Sequence, residues 1–241
     1  MNDQRDNIFD QGQVLLFDKP LYWTSFDLVN KVRIMFSKIL GIKKLKVGHA
    51  GTLDPLATGL MILCTGKSTK RIIEFQDLDK EYIATVHFGE TTPSFDLETE
   101  IDGHYPTSHI TRESVQNTLD KFLGEQKQVP PLHSAKLVNG KRAYEIARKG
   151  ISKKLDPVTI FIKELELTEF GVPESRIRIL CSKGTYVRAF ARDLGEALGS
   201  GSYLSALTRT AIGPYKLDNA WNLEKFENYL VQMKQNGNYY V

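Results

Sequence analysis

Asp54 stands in the run "GHAGTLDPLATGLMILCTGKSTK", which extends from Gly48 to Lys70. A carboxylate held on a stiff loop can act as nucleophile or general base. Pro55 pushes the Asp54 backbone out of the helical region, and Gly48, Gly51 and Gly59 allow tight turns around it. The other reading is an Asx-turn residue that only organises its loop. The run also ends in Gly66-Lys67-Ser68, like the tail of a phosphate-binding loop. Such a loop needs its first glycine at the position of Met61, and the nearest glycine, Gly59, is too far away. Leu60 to Cys64 is instead a continuous apolar run, which reads as a buried strand. The nucleotide cradle is ruled out.

Few other residues suit a carboxylate of this kind. Arg188 sits in the first turn of a helix after "CSKGTY", where a cation opposes the helix dipole unless an anion compensates it. A guanidinium there can keep a carboxylate ionised, or form an ordinary surface ion pair. His49, beside the glycines, can be a base, a stacking ring or a satisfied loop histidine. Tyr82 and Tyr186 are either core aromatics or flat platforms for a nucleobase.

The elements that must position these residues follow from periodicity. "QVLLFDKP" reads as a strand ending at Pro20. Thr24 with Asp27 forms a capping box, and Phe26, Val29, Val32, Phe36 and Ile39 keep helical spacing until Gly41. A strand at 60–64 precedes a helix from Lys67 to about Gln76. "EYIATVHFG" alternates as a strand, with Tyr82 near its start. A helix from Arg112 to Leu123 stops at Gly124. The following "QKQVPPLHSAKLVNGKRAYEIARKG" holds prolines, an Asn-Gly turn and a basic helix, and reads as an insertion loop. "VTIFIKELELTEF" and "SRIRILCSKG" are strands. A helix from Tyr186 to Leu198 follows, capped by Thr185 and stopped by Gly199. The absence of a regular βαβα rhythm argues for an α+β fold around a largely antiparallel sheet.

With 241 residues, 41% hydrophobic and 25% charged, the chain can bury the core of one or two domains. No stretch is apolar enough to span a membrane, and the polar N-terminus does not read as a signal peptide, so a cytoplasmic protein is expected. Cys64 and Cys181 lie in apolar segments without a C-x-x-C pair, which supports neither a zinc site nor a redox motif. Charge is segregated. Leu28 to Leu53 carries six basic residues and no acid, whereas Ile72 to Asp102 carries nine acids against Lys80. Ser134 to Lys154 is basic again, with Glu145 its one acid. This pattern fits either a face for a polyanion or two solvated helix faces.

Four segments in order carry a resemblance: the Gly48–Lys70 run, "KEYIATVHFGETTPSFD", "QVPPLHSAKLVNGKRAYEIARKG" and "CSKGTYVRAFARDLGEALG". Together, from "LLFDKP" to "LTRTAIG", the chain resembles the bacterial tRNA pseudouridine-55 synthases, the TruB family. The resemblance implies a pseudouridine synthase fold: a central mixed, largely antiparallel sheet flanked by helices, with RNA-clamping insertion loops. It implies isomerisation of uridine-55 in the tRNA T-loop, with no cofactor, no metal and no obligatory protein partner, so a monomer is expected.

By the same resemblance Asp54 is the catalytic carboxylate. Tyr82 stacks on the flipped base, Arg188 pairs with the carboxylate, and Tyr186 and Leu207 line the pocket. His49 enters the RNA where the base has left, and Lys19, Lys136, Lys141 and Arg142 bind RNA. Residues 1–223 would form the catalytic domain, with an insertion at about 125–157. Residues 224–241 would be a short helix and tail, too short for the RNA-binding PUA domain that many members carry. Tyr22 stands where the family's "DKPxGxTS" block has glycine. The alternative is a non-catalytic tRNA-binding or tRNA-folding protein on the same fold.

Overall fold

A computed structural model describes residues 7–132 and 155–240, and between them the backbone of 137–138 and 141–142. The chain divides into two compact units, Met1–Lys80 with Thr208–Val241, and Glu81–Leu207. In chain order the elements begin with α1 (Ile8–Gln11), β1 (Val14–Lys19), α2 (Ser25–Met35), β2 (Val47–His49) and β3 (Ala57–Thr65). Then come α3 (Ile72–Gln76), β4 (Lys80–Phe88), β5 (Glu90–Thr91), β6 (Gly103–His104), α4 (Arg112–Lys121) and β7 (Gly124–Gln128). The two-residue strands β8 (Leu137–Val138) and β9 (Lys141–Arg142) precede β10 (Val158–Glu169) and β11 (Glu174–Cys181). The last elements are α5 (Val187–Ala197), β12 (Ser202–Ile212), β13 (Tyr215–Lys216) and α6 (Leu223–Asn236). The class is α+β, with strands that pair mostly antiparallel, as the sequence pattern indicates.

In the first unit β3 is buried along almost its whole length, as its apolar run requires. It pairs antiparallel with β1, Phe17 opposite Met61 and Lys19 opposite Gly59, and with β2, His49 opposite Leu63. The capping box is present: Thr24 accepts from the Asp27 N–H while Asp27 accepts from the Thr24 N–H. The helix it starts passes into a π-helical turn, Phe36–Leu40, that ends on left-handed Gly41. Phe36 packs against Phe9 and Phe226, with ring centroids 4.5 and 5.8 Å away, so α6 joins the core of this unit. Cys64 is buried there too, and burial pushes its thiol up to about 11. Residues Lys67–Gln76 differ from expectation. They form a 3₁₀ segment, Gly66–Arg71, before the short α3, whose last carbonyls accept from the Lys80 ammonium instead of continuing the ladder.

In the second unit the strand order is β12, β4, β11, β10, β7. β4 alternates strictly, which turns Tyr82, Ala84, Val86 and Phe88 inward. Gly124 is left-handed and opens β7, which pairs with β10, Gln126 opposite Ile160. Glu125–Gln128 therefore form an edge strand, not the start of a loop. The basic helix expected further on lies outside the described residues, as do Lys136 and the side chains of Lys141 and Arg142. Among the described residues no helix is long and apolar enough to cross a membrane.

Candidate active site

In the first unit, the loop between β2 and β3 carries His49 and Asp54, and the surrounding chain fixes it at several points. Ser25, in the first turn of α2, donates its hydroxyl to the Leu53 carbonyl at 3.1 Å and accepts the Leu53 N–H at 2.9 Å. Tyr22 donates its N–H to the Pro55 carbonyl at 2.8 Å, and Ala57 donates to the Asp54 carbonyl at 3.0 Å. The half-buried Asp54 thus has a backbone tied on both sides.

Lys19 ends β1 beneath this loop and is fully buried. Its ammonium donates to the carbonyls of Pro20 at 2.9 Å, Trp23 at 2.6 Å and Pro55 at 3.5 Å. Burial lowers its pKa to about 8; the Asp54 charge works against that fall, and Arg209 adds to it. A cation buried among carbonyls beside the loop of a carboxylate is costly unless the turn needs it.

Arg209, on β12, closes the other side of the loop. Its Nε donates to the Leu60 carbonyl at 2.7 Å and its Nη2 to the Gly51 carbonyl at 3.2 Å, which joins the two ends of the turn. Burial and the Arg209 charge both lower the pKa of His49, which favours the neutral imidazole. Sequence reasoning missed Arg209 and Ser25. An arginine inside the strand-like "SYLSALTRTAI" was the available signal for the first; Ser25, the first helical residue after the Thr24 cap, gave none.

In the second unit, Arg188 lies in the first turn of α5 and is buried. Its Nη1 donates to the Ser94 carbonyl at 3.1 Å, and its Nε is 3.5 Å from the Asp96 carboxylate, equally buried. Asp96 is thus an anion that offsets the unfavourable place of a cation at a helix N-terminus. Sequence reasoning did not single it out, although "GETTPSFD" is a turn-rich stretch ending in an acid. The loop is shaped by left-handed Phe95, by the Thr92 and Ser94 hydroxyls, which donate to the Asp96 carbonyl at 2.7 and 3.0 Å, and by the Glu98 N–H on the Asp96 carboxylate.

Tyr186, not Thr185, is the N-cap of α5. The Gln128 amide accepts from the Tyr186 N–H at 2.9 Å and donates to its carbonyl at 3.1 Å, while Thr185 donates to Ser182. A side chain from β7 thus does what a local cap does elsewhere. Tyr82 and Leu207 are buried on β4 and β12. Among the described residues no group of three or more His, Cys, Asp or Glu could hold a metal ion.

Residues 37–187 match the TruB family pseudouridylate synthase N-terminal domain. The chain belongs to the TruB family. Residues 188–240 match the tRNA pseudouridylate synthase B C-terminal domain, so the family's two parts meet at Arg188. The tRNA pseudouridine synthase B of Phocaeicola vulgatus is 58% identical over 94% of this chain and 96% of its own length. That of Flavobacterium johnsoniae is 51% identical over 91% of this chain and 96% of its own length. Among solved structures, a chain of a Cbf5–Nop10–Gar1 complex is 25% identical and superposes with a TM-score of 0.72. That match covers 98% of this chain and 62% of the other, so the TruB-family chain spans less than two thirds of that relative. A second, from an H/ACA ribonucleoprotein bound to a substrate RNA containing 2′-deoxyuridine, has a TM-score of 0.68 at 24% identity and shows the same fold.

Proposed function

We propose that this TruB-family chain isomerises uridine-55 in the T-loop of tRNA to pseudouridine, with Asp54 as the reacting carboxylate on a base turned out of its stack. The observation that carries the reading is the fixing of Asp54: Leu53 and Pro55, its two neighbours, are held by Ser25 and Tyr22, and the Asp54 carbonyl by Ala57. A loop with no chemical task has no need of a buried ammonium at its base as well.

The reaction breaks the bond from uracil N1 to ribose C1′, turns the base, and joins C5 to C1′. The C5 proton is lost and N1 gains one, so product and substrate are isomers. No electron leaves and no group enters, so the chemistry calls for neither an oxidant nor a donor. Water must be kept out, because it would capture the sugar and leave an abasic site. Glycoside hydrolases need a second carboxylate to handle that water; here one suffices. Asp54 acts either by adding to the base or sugar or by taking a proton from the ribose.

The remaining assignments rest on resemblance. Tyr82, Tyr186 and Leu207 hold the base, Arg188 serves as the partner of the reacting carboxylate, and His49 fills the gap the base leaves. Lys136, Lys141 and Arg142 serve RNA binding, which weakens with salt as phosphate contacts do. Lys19, expected from the sequence to bind RNA, is fully buried with its ammonium on three carbonyls and supports the loop instead of meeting a phosphate. The test is unmodified tRNA incubated with the protein, then mapped for pseudouridine. Asp54→Asn is expected to lose turnover at least about a thousandfold while still binding tRNA. Substantial product from that variant would falsify the carboxylate assignment, and product elsewhere than position 55 would refute the T-loop.

A further inference from the structure

Tyr22 has a left-handed backbone, with φ at 67°, a conformation that is an outlier for a bulky residue. Its side chain is 75% exposed, so packing within the described fold does not account for a tyrosine there. Glycine would take the same φ without strain. Strain of this kind persists where the surroundings impose it, and it gathers at binding and reaction sites. Here the imposing contact is the Tyr22 N–H on the Pro55 carbonyl, one residue beyond Asp54. Two more apolar side chains stand out of the same short stretch: Leu21, 44% exposed, and Phe26 in the first turn of α2, 63% exposed. The nearby Asp27 carboxylate is occupied by the Thr24 N–H and hydroxyl at 2.9 and 2.6 Å.

The chemistry of the neighbourhood selects the occupant. The loop beside Tyr22 carries the reacting carboxylate, so a polynucleotide must come close. The same unit exposes Lys43, Lys44 and Lys46, which suit its phosphates. Taking one base out of an RNA stack leaves its neighbours without a partner, and an exposed aromatic ring replaces that partner with little regard to sequence. We propose that Tyr22 is a stacking platform for an unpaired nucleobase of the substrate RNA near the reacting uridine. The proposal rests on the function given above.

The test compares wild type, Tyr22→Phe, Tyr22→Gly and Tyr22→Asn for equilibrium binding of unmodified tRNA, for pseudouridine formation and for Tm. Tyr22→Phe keeps binding, because the ring is kept. Tyr22→Gly and Tyr22→Asn, both at home in the left-handed region, bind about 5- to 100-fold more weakly. Their Tm holds or rises by up to about 4 °C, because backbone strain is relieved. Wild-type affinity in the glycine variant overturns the platform. An equal loss in Tyr22→Phe also overturns it, since the hydroxyl would then be the contact. Wild-type protein that binds tRNA yet makes no pseudouridine refutes the proposed activity, while the binding comparison still decides the role of Tyr22.

Discussion

Gly59 lies directly against the backbone of Arg209. A Cβ on Gly59 would meet the Arg209 carbonyl oxygen at 2.4 Å and its nitrogen at 2.7 Å, and Gly59 also has φ at 102°. Backbone cannot yield as a flexible side chain can, so only glycine lets β3 and β12 come together here. The same arginine binds the Gly51 and Leu60 carbonyls, so the close approach and the shape of the Asp54 loop depend on each other.

Gly59→Ala should therefore cost at least about 2 kcal/mol, from overpacking plus the left-handed φ. Thermal or urea unfolding measures it. A loss within a few tenths of a kcal/mol would mean the two backbones are not held at this distance.

Lys19 gives a pH signature in stability. Its pKa is about 8 when folded, against an ordinary 10.5. Between those values the unfolded chain binds more protons, so folding free energy becomes more favourable as pH rises from about 8 towards 10.5. Below about 8 the buried ammonium carries its full burial cost. Lys19→Met should lack this slope. Urea midpoints measured for both proteins across that range give the comparison, and parallel curves would show that Lys19 stays charged.

Asp96→Asn should destabilise the second unit by about 3 kcal/mol, because it removes the buried carboxylate that stands 3.5 Å from the Arg188 guanidinium. Lysine at position 188 cannot span Ser94 and Asp96 together, so Arg188→Lys should not rescue function. Tm and pseudouridine yield, measured on both variants, test the pair. An Asp96→Asn protein as stable as wild type would mean that Arg188 draws its compensation elsewhere.

Arg209→Gln should raise the pKa of His49, since the guanidinium charge is one of its depressing causes and burial alone remains. With the folded value below 6.5, stability falls as pH drops through that region, and the variant should show a weaker fall. Proton NMR titration of the histidine ring reads the shift directly. An unmoved His49 would remove the electrostatic link, whatever happens to stability.

Local pattern made several elements legible. The apolar run Leu60–Cys64 became the buried β3, the alternation around Tyr82 became β4, and the Thr24–Asp27 capping box started α2 where expected. These succeed because burial and capping are decided by residues within one turn or one pleat of each other. The same reasoning failed where distant groups compete. Gln128, 58 residues from Tyr186 along the chain, replaces the local cap Thr185.

The sequence by itself determined the family, the reacting candidate Asp54 and the glycines of its loop, because backbone permission and acid–base chemistry belong to individual residues. Only the tertiary structure decided that Arg209 and Lys19 hold that loop, that Asp96 faces Arg188, and that Tyr22 stands strained and bare to solvent. Those relationships depend on which strands lie side by side, and hydrogen bonds across more than a hundred residues leave no period in a sequence.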